Sequence, residues 1–419
     1  MTTLPTEILD ELGARDLLDT CTNLESLRAR LARGPITVYC GFDPTADSLH
    51  VGHLLSLSVL RHWMRHGHDV IALVGGFTGM VGDPSGKSQE RTLLDLVTLD
   101  ANRSALTAQV ERLLGAGDGR PRIVDNRSWF ADMTALEFLR DVGKLVPVSD
   151  MLERESVRSR LGGQGLSFTE FSYQILQAHD FAHLRKTEGC ELQVGGTDQY
   201  GNITAGTDMI RRRDLGSAWG LVWPLLTKAD GTKFGKTESG TVWLAGDRTS
   251  PFAFHQYWLN VADTEVETLL AKFTLLDGDE LAAVMMSHAR DPALRIAQRR
   301  VADEVTAWVH GPEAVETARA TAEALFSGRL GPEHIELVRD TIPTYEVGAT
   351  HLSEIPLERL ARDSGLCESI GEARRLIKNG GLYVDGRRMA EGDKSVDGFA
   401  GHVLLRKGSR THALVVVTA

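Results

Sequence analysis

Three groups of residues in this 419-residue chain have the types and spacing that chemistry needs. The first is His50-Val51-Gly52-His53, which follows an apolar run and opens an amphipathic stretch. A helix start presents unpaired N–H groups and the positive end of the helix dipole, so it attracts phosphate. Two imidazoles one turn apart add donors, and Gly52 lets a ligand approach the backbone. The alternative is a pair of polar helix-start residues with no further role. The second group is Lys233-Phe234-Gly235-Lys236-Thr237, flanked by Asp230-Gly231 and Glu238-Ser239-Gly240. Two lysines three residues apart on a glycine-bracketed loop can close over a polyphosphate and neutralise charge as pyrophosphate leaves. The competing reading is an ordinary exposed basic loop. The third group is Tyr173, Gln177 and Asp180, at i, i+4 and i+7 in FTEFSYQILQAHDFAHL, a polar stripe along one helix face. Such a stripe faces water or a polar ligand, because unpartnered burial costs several kcal/mol, on the order of 2–7. Tyr39, on the preceding apolar run, offers another hydroxyl.

Two near matches are weaker. Gly82-Asp83-Pro84-Ser85-Gly86-Lys87-Ser88 resembles a phosphate-binding P-loop, but Val81 stands where the pattern requires glycine; Asp83 remains a candidate pocket residue. His62-x-x-x-His66 has Trp63 where a zinc protease needs its glutamate base, so a solvated helix face is expected.

These groups need a scaffold. ITVYCGF (36–42) and DVIALVGGFTG (69–79) read as buried strands, with LHVGHLLSLSVLRHWMRHG a helix between them. Strand, helix, strand predicts a right-handed βαβ unit and a parallel sheet. RIVDN (122–126), ELQVGG (191–196) and GLVWPLLT (220–227) are further strand candidates. The fold class expected is α/β: a Rossmann-type doubly wound parallel sheet, then an α-helical domain, then a small C-terminal α+β module. The domain boundaries expected are residues 1–230 for the sheet domain, with a helical insertion near 125–165, and 231–328 for the second loop and the helices. A linker is expected over 329–352 and the last module over 353–419.

Composition narrows the function. Hydrophobic residues are 42% and charged residues 25%, a globular balance. No apolar run approaches the roughly 20 residues a membrane helix needs, and the first residues carry no export pattern. A cytoplasmic protein with no membrane contact is expected. Cys21, Cys40, Cys190 and Cys367 show no paired spacing, so neither a disulfide framework nor a zinc knuckle is read from them. The formal net charge of −11 disfavours nucleic acid as a partner of the whole surface. Its distribution is uneven, however: residues 353–419 carry eleven Lys/Arg against nine Asp/Glu, a local +2 that leaves −13 for the rest. Confined RNA contacts fit that pattern.

Taken together, the motifs resemble the class I aminoacyl-tRNA synthetases. HVGH is similar to that family's HIGH signature, and KFGKT to its KMSKS signature with both lysines kept. YCGFDPTADSLHVGHL, GDPSGK, FTEFSYQILQAHDF, GGTDQYGNITAG and KADGTKFGKTESGT resemble bacterial tyrosyl-tRNA synthetases, and the likeness spans nearly the whole chain, including a C-terminal RNA-binding module of the small ribosomal S-four type. Tryptophanyl-tRNA synthetases share the core but normally lack that module. The resemblance implies a tyrosine pocket of Tyr39, Asp83, Tyr173, Gln177, Asp180 and Gln199. For ATP and the adenylate it implies Gly41, Asp43, His50, Gly52, His53, Gly196, Asp198 and Lys236. The catalytic groups it implies are Thr45, His50, His53, Lys87, Arg91, Lys233, Lys236 and Thr237. Mg²⁺ is implied as the counter-ion of ATP, with no protein-held metal. tRNA contacts are implied for Arg374, Arg375, Lys378, Arg387, Arg388, Arg406, Lys407 and Arg410, and a homodimer is implied as the assembly. A rival reading keeps the body as an inactive nucleotide-binding RNA-interaction protein.

Overall fold

The computed structural model describes residues 7–85, 94–115, 121–154, 157–158, 160, 165–227, 234–237, 240–328, 330–339, 341–348, 352, 354–391, 393, 401–408 and 411–418. The chain forms two compact units, one of residues 1–244 and 262–297, the other of 245–261 and 298–419.

The first unit is built on a six-stranded sheet of β1 (Thr20–Cys21), β2 (Thr37–Phe42), β3 (Asp69–Val74), β4 (Arg122–Asp125), β5 (Cys190–Gly196) and β6 (Trp219–Trp223). The spatial order is β1-β6-β5-β2-β3-β4. All pairs are parallel except the short edge strand β1, which runs antiparallel to β6. Inner parallel strands are covered on both faces, so their apolar residues run continuously instead of alternating. Val70–Val74 are all buried. Strand order reverses between β2 and β5, where Tyr39 lies opposite Gln193. A crevice opens at such a reversal, beyond the carboxyl ends of the strands, because the two crossovers depart in opposite directions.

Helices α1 (Glu7–Ala14), α2 (Val51–Arg65), α3 (Leu96–Leu114), α4 (Phe168–Glu188) and α5 (Tyr200–Arg212) belong to this unit. The Ser167 hydroxyl caps α4 by accepting from the Glu170 N–H, and Gly189 ends it in the left-handed conformation at φ 66°. Short helical turns fill residues 127–152 between β4 and β5.

His62 and His66 are not on a solvated face. They are 0% and 5% exposed, and Glu11 of α1 meets both, at 3.0 Å from His62 Nδ1 and 2.5 Å from His66 Nε2. Arg15 pairs with Glu11 at 2.9 Å and donates to the carbonyls of Ala271, Thr274 and Leu276. Helical periodicity gives the face of a residue but not what a distant helix lays over it. The same contacts show why residues 262–297, expected within a separate helical domain, pack with the sheet unit.

In the second unit α6 (Pro251–Leu259) and α7 (Pro312–Ser327) pack together. They are followed by β9 (Thr344–Gly348), α8 (Leu357–Asp363), α9 (Ile370–Lys378), β10 (Leu382–Val384), β11 (Arg387–Arg388), β12 (His402–Lys407) and β13 (Thr411–Thr418). The sheet order is β11-β10-β12-β13-β9, and β9 joins parallel to β13. Thr344–Gly348, expected within a linker, is thus an edge strand; its long-range partner β13 lies some 70 residues downstream and leaves no local signal. The period-two alternation of β12 and β13 serves two cores. Val403, Leu405, Ala413 and Val415 face α8 and α9, while Leu404 and Leu414 join Phe252, Ala318, Leu325 and Val338.

Candidate active site

A cavity of about 460 Å³ opens in the first unit at the β2/β5 reversal. Fourteen of the residues singled out from sequence line it: Tyr39, Gly41, Asp43, Thr45, His50, Gly52, His53, Asp83, Tyr173, Gln177, Asp180, Gly196, Asp198 and Gln199. Lys87, Arg91 and Lys233 lie outside the described residues, and for Lys236 and Thr237 only the backbone is described.

One end of the cavity is a fixed carboxyl beside a phenol. Asp180 is 2% exposed and accepts from Asn126 Nδ2 at 3.1 Å and from Trp129 Nε1 at 2.8 Å, one donor on each oxygen. Burial raises its carboxyl from 3.8 to about 8, despite those two donors. Tyr39 projects from β2 with its ring 5.3 Å from that of Phe181, and among the described residues its buried hydroxyl has no hydrogen-bond partner. Burial, then the charge of Asp180, pushes the Tyr39 phenol well above its ordinary range, so it stays a neutral O–H donor. An orphaned hydroxyl in a polar-lined hollow is a recognition group in search of a partner.

Further along, α4 and the loop after β3 converge. The Tyr173 hydroxyl donates to Asp43 at 2.7 Å, and Thr78 donates to the other Asp43 oxygen at 2.8 Å. Asn126 donates to Thr78 at 3.0 Å, so a continuous chain of bonds runs from Asp180 through Asn126 and Thr78 to Asp43 and Tyr173. Asp83 accepts from Gln199 Nε2 at 2.7 Å, and Gln177 donates to Gln199 Oε1 at 3.3 Å. The Gln177 side-chain carbonyl is buried without a partner among the described residues. This region is rich in acceptors and suits a cation.

The other end is the start of α2. His50 is its N-cap: Nδ1 accepts from the Gly52 N–H at 3.0 Å, and the His50 N–H donates to His53 Nδ1 at 3.3 Å. A neutral imidazole that accepts at Nδ1 carries its proton on Nε2, so both rings supply an N–H donor. The rings stack with centroids 3.9 Å apart. Gly52 leaves room for this cap, since a Cβ there would lie 2.8 Å from His50 Cε1 and the ring would have to shift.

The second signature lies against the first. β7 (Lys236–Thr237) pairs antiparallel with β8 (Gly240–Thr241), Val242 donates to the Gly235 carbonyl at 3.0 Å, and Val51 donates to the Val242 carbonyl at 3.0 Å. His50 bridges Trp243. Gly235, at φ 85°, lies beside Val51, where a Cβ added to it would meet the valine Cβ at 3.4 Å. The two motifs, some 180 residues apart in sequence, share one backbone ladder.

Asn126, Trp129 and Thr78 were not singled out from sequence. Asn126 stands at the carboxyl end of β4, where a ligand-facing residue is expected in this fold, and that position was its only signal. Trp129 and Thr78 gave none.

In the second unit, Arg375, Lys378 and Arg387 are exposed. Arg374 pairs with Glu358 at 3.2 Å, Lys407 pairs with Glu372, Arg388 donates to the Gly380 carbonyl at 2.6 Å, and Arg406 lies 4.0 Å over the Tyr383 ring. Arg410 lies outside the described residues.

A doubly wound sheet with a histidine-capped helix start beside its strand-order reversal is the frame of a nucleotide-binding enzyme. In keeping with this, residues 31–327 match the family of class I tRNA synthetases (W and Y), and residues 356–394 match the S4 domain. The chain is similar to the tyrosine–tRNA ligase of Opitutus terrae, 48% identical over 98% of this chain and 99% of that one. It is also similar to that of Geobacillus stearothermophilus, 46% identical over 92% of each. Among solved structures, a C-terminally truncated mitochondrial tyrosyl-tRNA synthetase of Aspergillus nidulans aligns with a TM-score of 0.70 at 31% identity, covering 76% of this chain and 94% of that one. The chain belongs to the tyrosine–tRNA ligase family.

Proposed function

We propose that the cavity binds L-tyrosine with its phenol at Tyr39 and Asp180 and ATP at the start of α2, forms tyrosyl-adenylate, and passes the tyrosyl group to the 3′ end of tRNA. The observation that carries this reading is the Tyr39–Asp180 pair. A tyrosine phenol accepts from Tyr39 and donates to Asp180, whose two oxygens each already accept one bond, from Asn126 and Trp129. Phenylalanine leaves the buried Tyr39 hydroxyl without an acceptor and offers Asp180 no further donor, which a site built on hydrogen bonds penalises strongly.

The α-ammonium of tyrosine goes to the acceptors Asp83, Gln177 and Tyr173, with Gln199 holding Asp83 in place. The substrate carboxylate is already ionised, so the first step requires no general base. It attacks the α-phosphorus, forms the acyl-phosphate bond and displaces pyrophosphate. Catalysis is positioning and charge stabilisation. Thr45, His50 and His53 meet the triphosphate. Neutralising the departing pyrophosphate is the role assigned to Lys87, Arg91, Lys233, Lys236 and Thr237, and Mg²⁺ arrives with ATP as part of the substrate. Gly41, Gly52 and Gly196 let the nucleotide approach the backbone, and Asp43 and Asp198 take ribose or amino-acid contacts. The terminal tRNA hydroxyl then attacks the acyl carbon and AMP leaves.

The basic residues from Arg374 to Arg410 contact tRNA through phosphates and helix shape. The assembly is a homodimer in the cytoplasm. Leu136, Leu139, Val148, Leu152 and Phe168, between 42% and 75% exposed in one stretch of sequence, support an interface there.

Tyrosine-dependent ATP–pyrophosphate exchange, run with phenylalanine as competitor, tests the reading and separates it from an inactive RNA-binding body. The parent should exchange with tyrosine, and Asp180→Ala should lose roughly tenfold or more of the tyrosine preference. Undiminished selectivity in the variant would contradict the assignment.

A further inference from the structure

The loop Pro44–Leu49 delivers Thr45 and leads into His50, yet it has no secondary structure of its own. Its two ends are held from one face of α3. Asn102 Nδ2 donates to the Pro44 carbonyl at 3.2 Å. Seven residues on, Gln109 Oε1 accepts from the Leu49 N–H at 2.9 Å, and Gln109 Nε2 donates to Ser48 Oγ at 3.1 Å. Ser48 Oγ in turn donates to the Leu49 carbonyl at 2.7 Å, and the Leu244 N–H donates to that same carbonyl at 2.8 Å. Asn102 is 6% exposed, and the same helix buries Leu99, Leu106, Val110 and Leu113. Two turns of helix span about 10.5 Å, so two side chains seven apart grip both ends of a six-residue loop from a rigid rod.

We propose that Asn102 and Gln109 are positioning residues for the nucleotide end of the site. They touch no substrate. They fix the loop in the geometry that sets the Thr45 backbone and the His50 cap, so that these groups need not be ordered when ATP binds. The proposal rests on the assignment of Thr45 and His50 to the triphosphate.

The test is ATP–pyrophosphate exchange with Asn102→Ala, Gln109→Ala and their double variant in the full chain, alongside tyrosine affinity measured by equilibrium dialysis. Each single change should raise the KM for ATP or slow adenylate formation by about tenfold, the scale of one lost hydrogen bond, while tyrosine affinity stays within about twofold. Unchanged ATP constants, or ATP and tyrosine constants worsening in parallel, would overturn the proposal. Gln109→Glu keeps the acceptor for the Leu49 N–H and is the fallback if an alanine variant does not fold; it should fall between the parent and Gln109→Ala, and an ATP defect equal to that of Gln109→Ala would also overturn the proposal. His50→Asn is the control for the underlying assignment. If it leaves the ATP step intact, the triphosphate assignment fails; if it impairs that step while the α3 variants do not, only the clamp fails.

Discussion

Asp180 concentrates the chemistry of recognition in a single titratable group. Its carboxyl rises from 3.8 to about 8 because burial outweighs the two hydrogen bonds it accepts. Between those values the folded protein holds a proton that the unfolded chain has released, so the group's contribution to stability is complete near pH 4 and is lost as the pH climbs toward 8. Asp180→Asn cannot titrate. Thermal unfolding of parent and variant at about pH 5 and about pH 8 should therefore show the variant gaining on the parent at the higher pH. A difference that stays constant with pH would mean the carboxyl is not displaced upward. The neutral phenols of Tyr39 and Tyr173, both pushed up by burial, have no comparable effect below pH 9.

At the scale of elements, the decisive joint is the start of α2, where cap, stacked imidazoles and the neighbouring hairpin meet. Alanine is favoured over glycine within a helix by about 1 kcal/mol, so Gly52→Ala improves propensity. It also drives a methyl into the His50 ring and displaces the cap. Global stability should change by less than about 1 kcal/mol, while adenylate formation in single-turnover kinetics slows by roughly tenfold or more. An unaffected rate would show that the stacked histidines do not depend on that cap. α4 makes a related point. Its polar stripe faces the cavity, and it is buried because Asn126, Trp129 and Asp43 come to it from other elements.

For the whole molecule, two surfaces carry the proposals that reach beyond one active site. Phe168→Glu places a charge on the most exposed of the apolar side chains between Leu136 and Phe168. Sedimentation velocity should show the proposed dimer for the parent and a shift toward monomer for the variant at micromolar protein; a parent that sediments as a monomer, or a variant unchanged from the parent, would sink the proposed interface. Charge reversal of Arg375 and Lys378 on α9 should weaken tRNA binding and flatten its salt dependence by about one unit of slope per lost phosphate contact, with tyrosine-dependent pyrophosphate exchange unaltered. Reversal is preferable to deleting residues 353–419, because that deletion would strip β13 from β9 and uncover Phe252, Ala318 and Leu325. Equal loss of exchange and tRNA binding would refute the division of labour between the two units.

The fold class, the inner strands of the sheet, the histidine motif at the helix start and the polar stripe of α4 were legible in the sequence because they rest on local rules, while Gly41, Asp43, Thr45, Gly196, Asp198 and Gln199 came from the family resemblance. Apolar runs bounded by glycine make inner strands, a polar stripe at helical spacing needs a polar neighbour, and a helix start attracts anions. What the tertiary structure decided is every feature made by residues far apart in the chain. Glu11 reaches across from α1 to His62 and His66, Asn126 and Trp129 fix Asp180, Thr344–Gly348 becomes a strand only beside β13, and α3 grips the loop before His50. Each residue's pattern states which face is polar or buried. Only the packed molecule states what lies opposite, because burial and hydrogen bonding are set by neighbours that the local sequence does not contain.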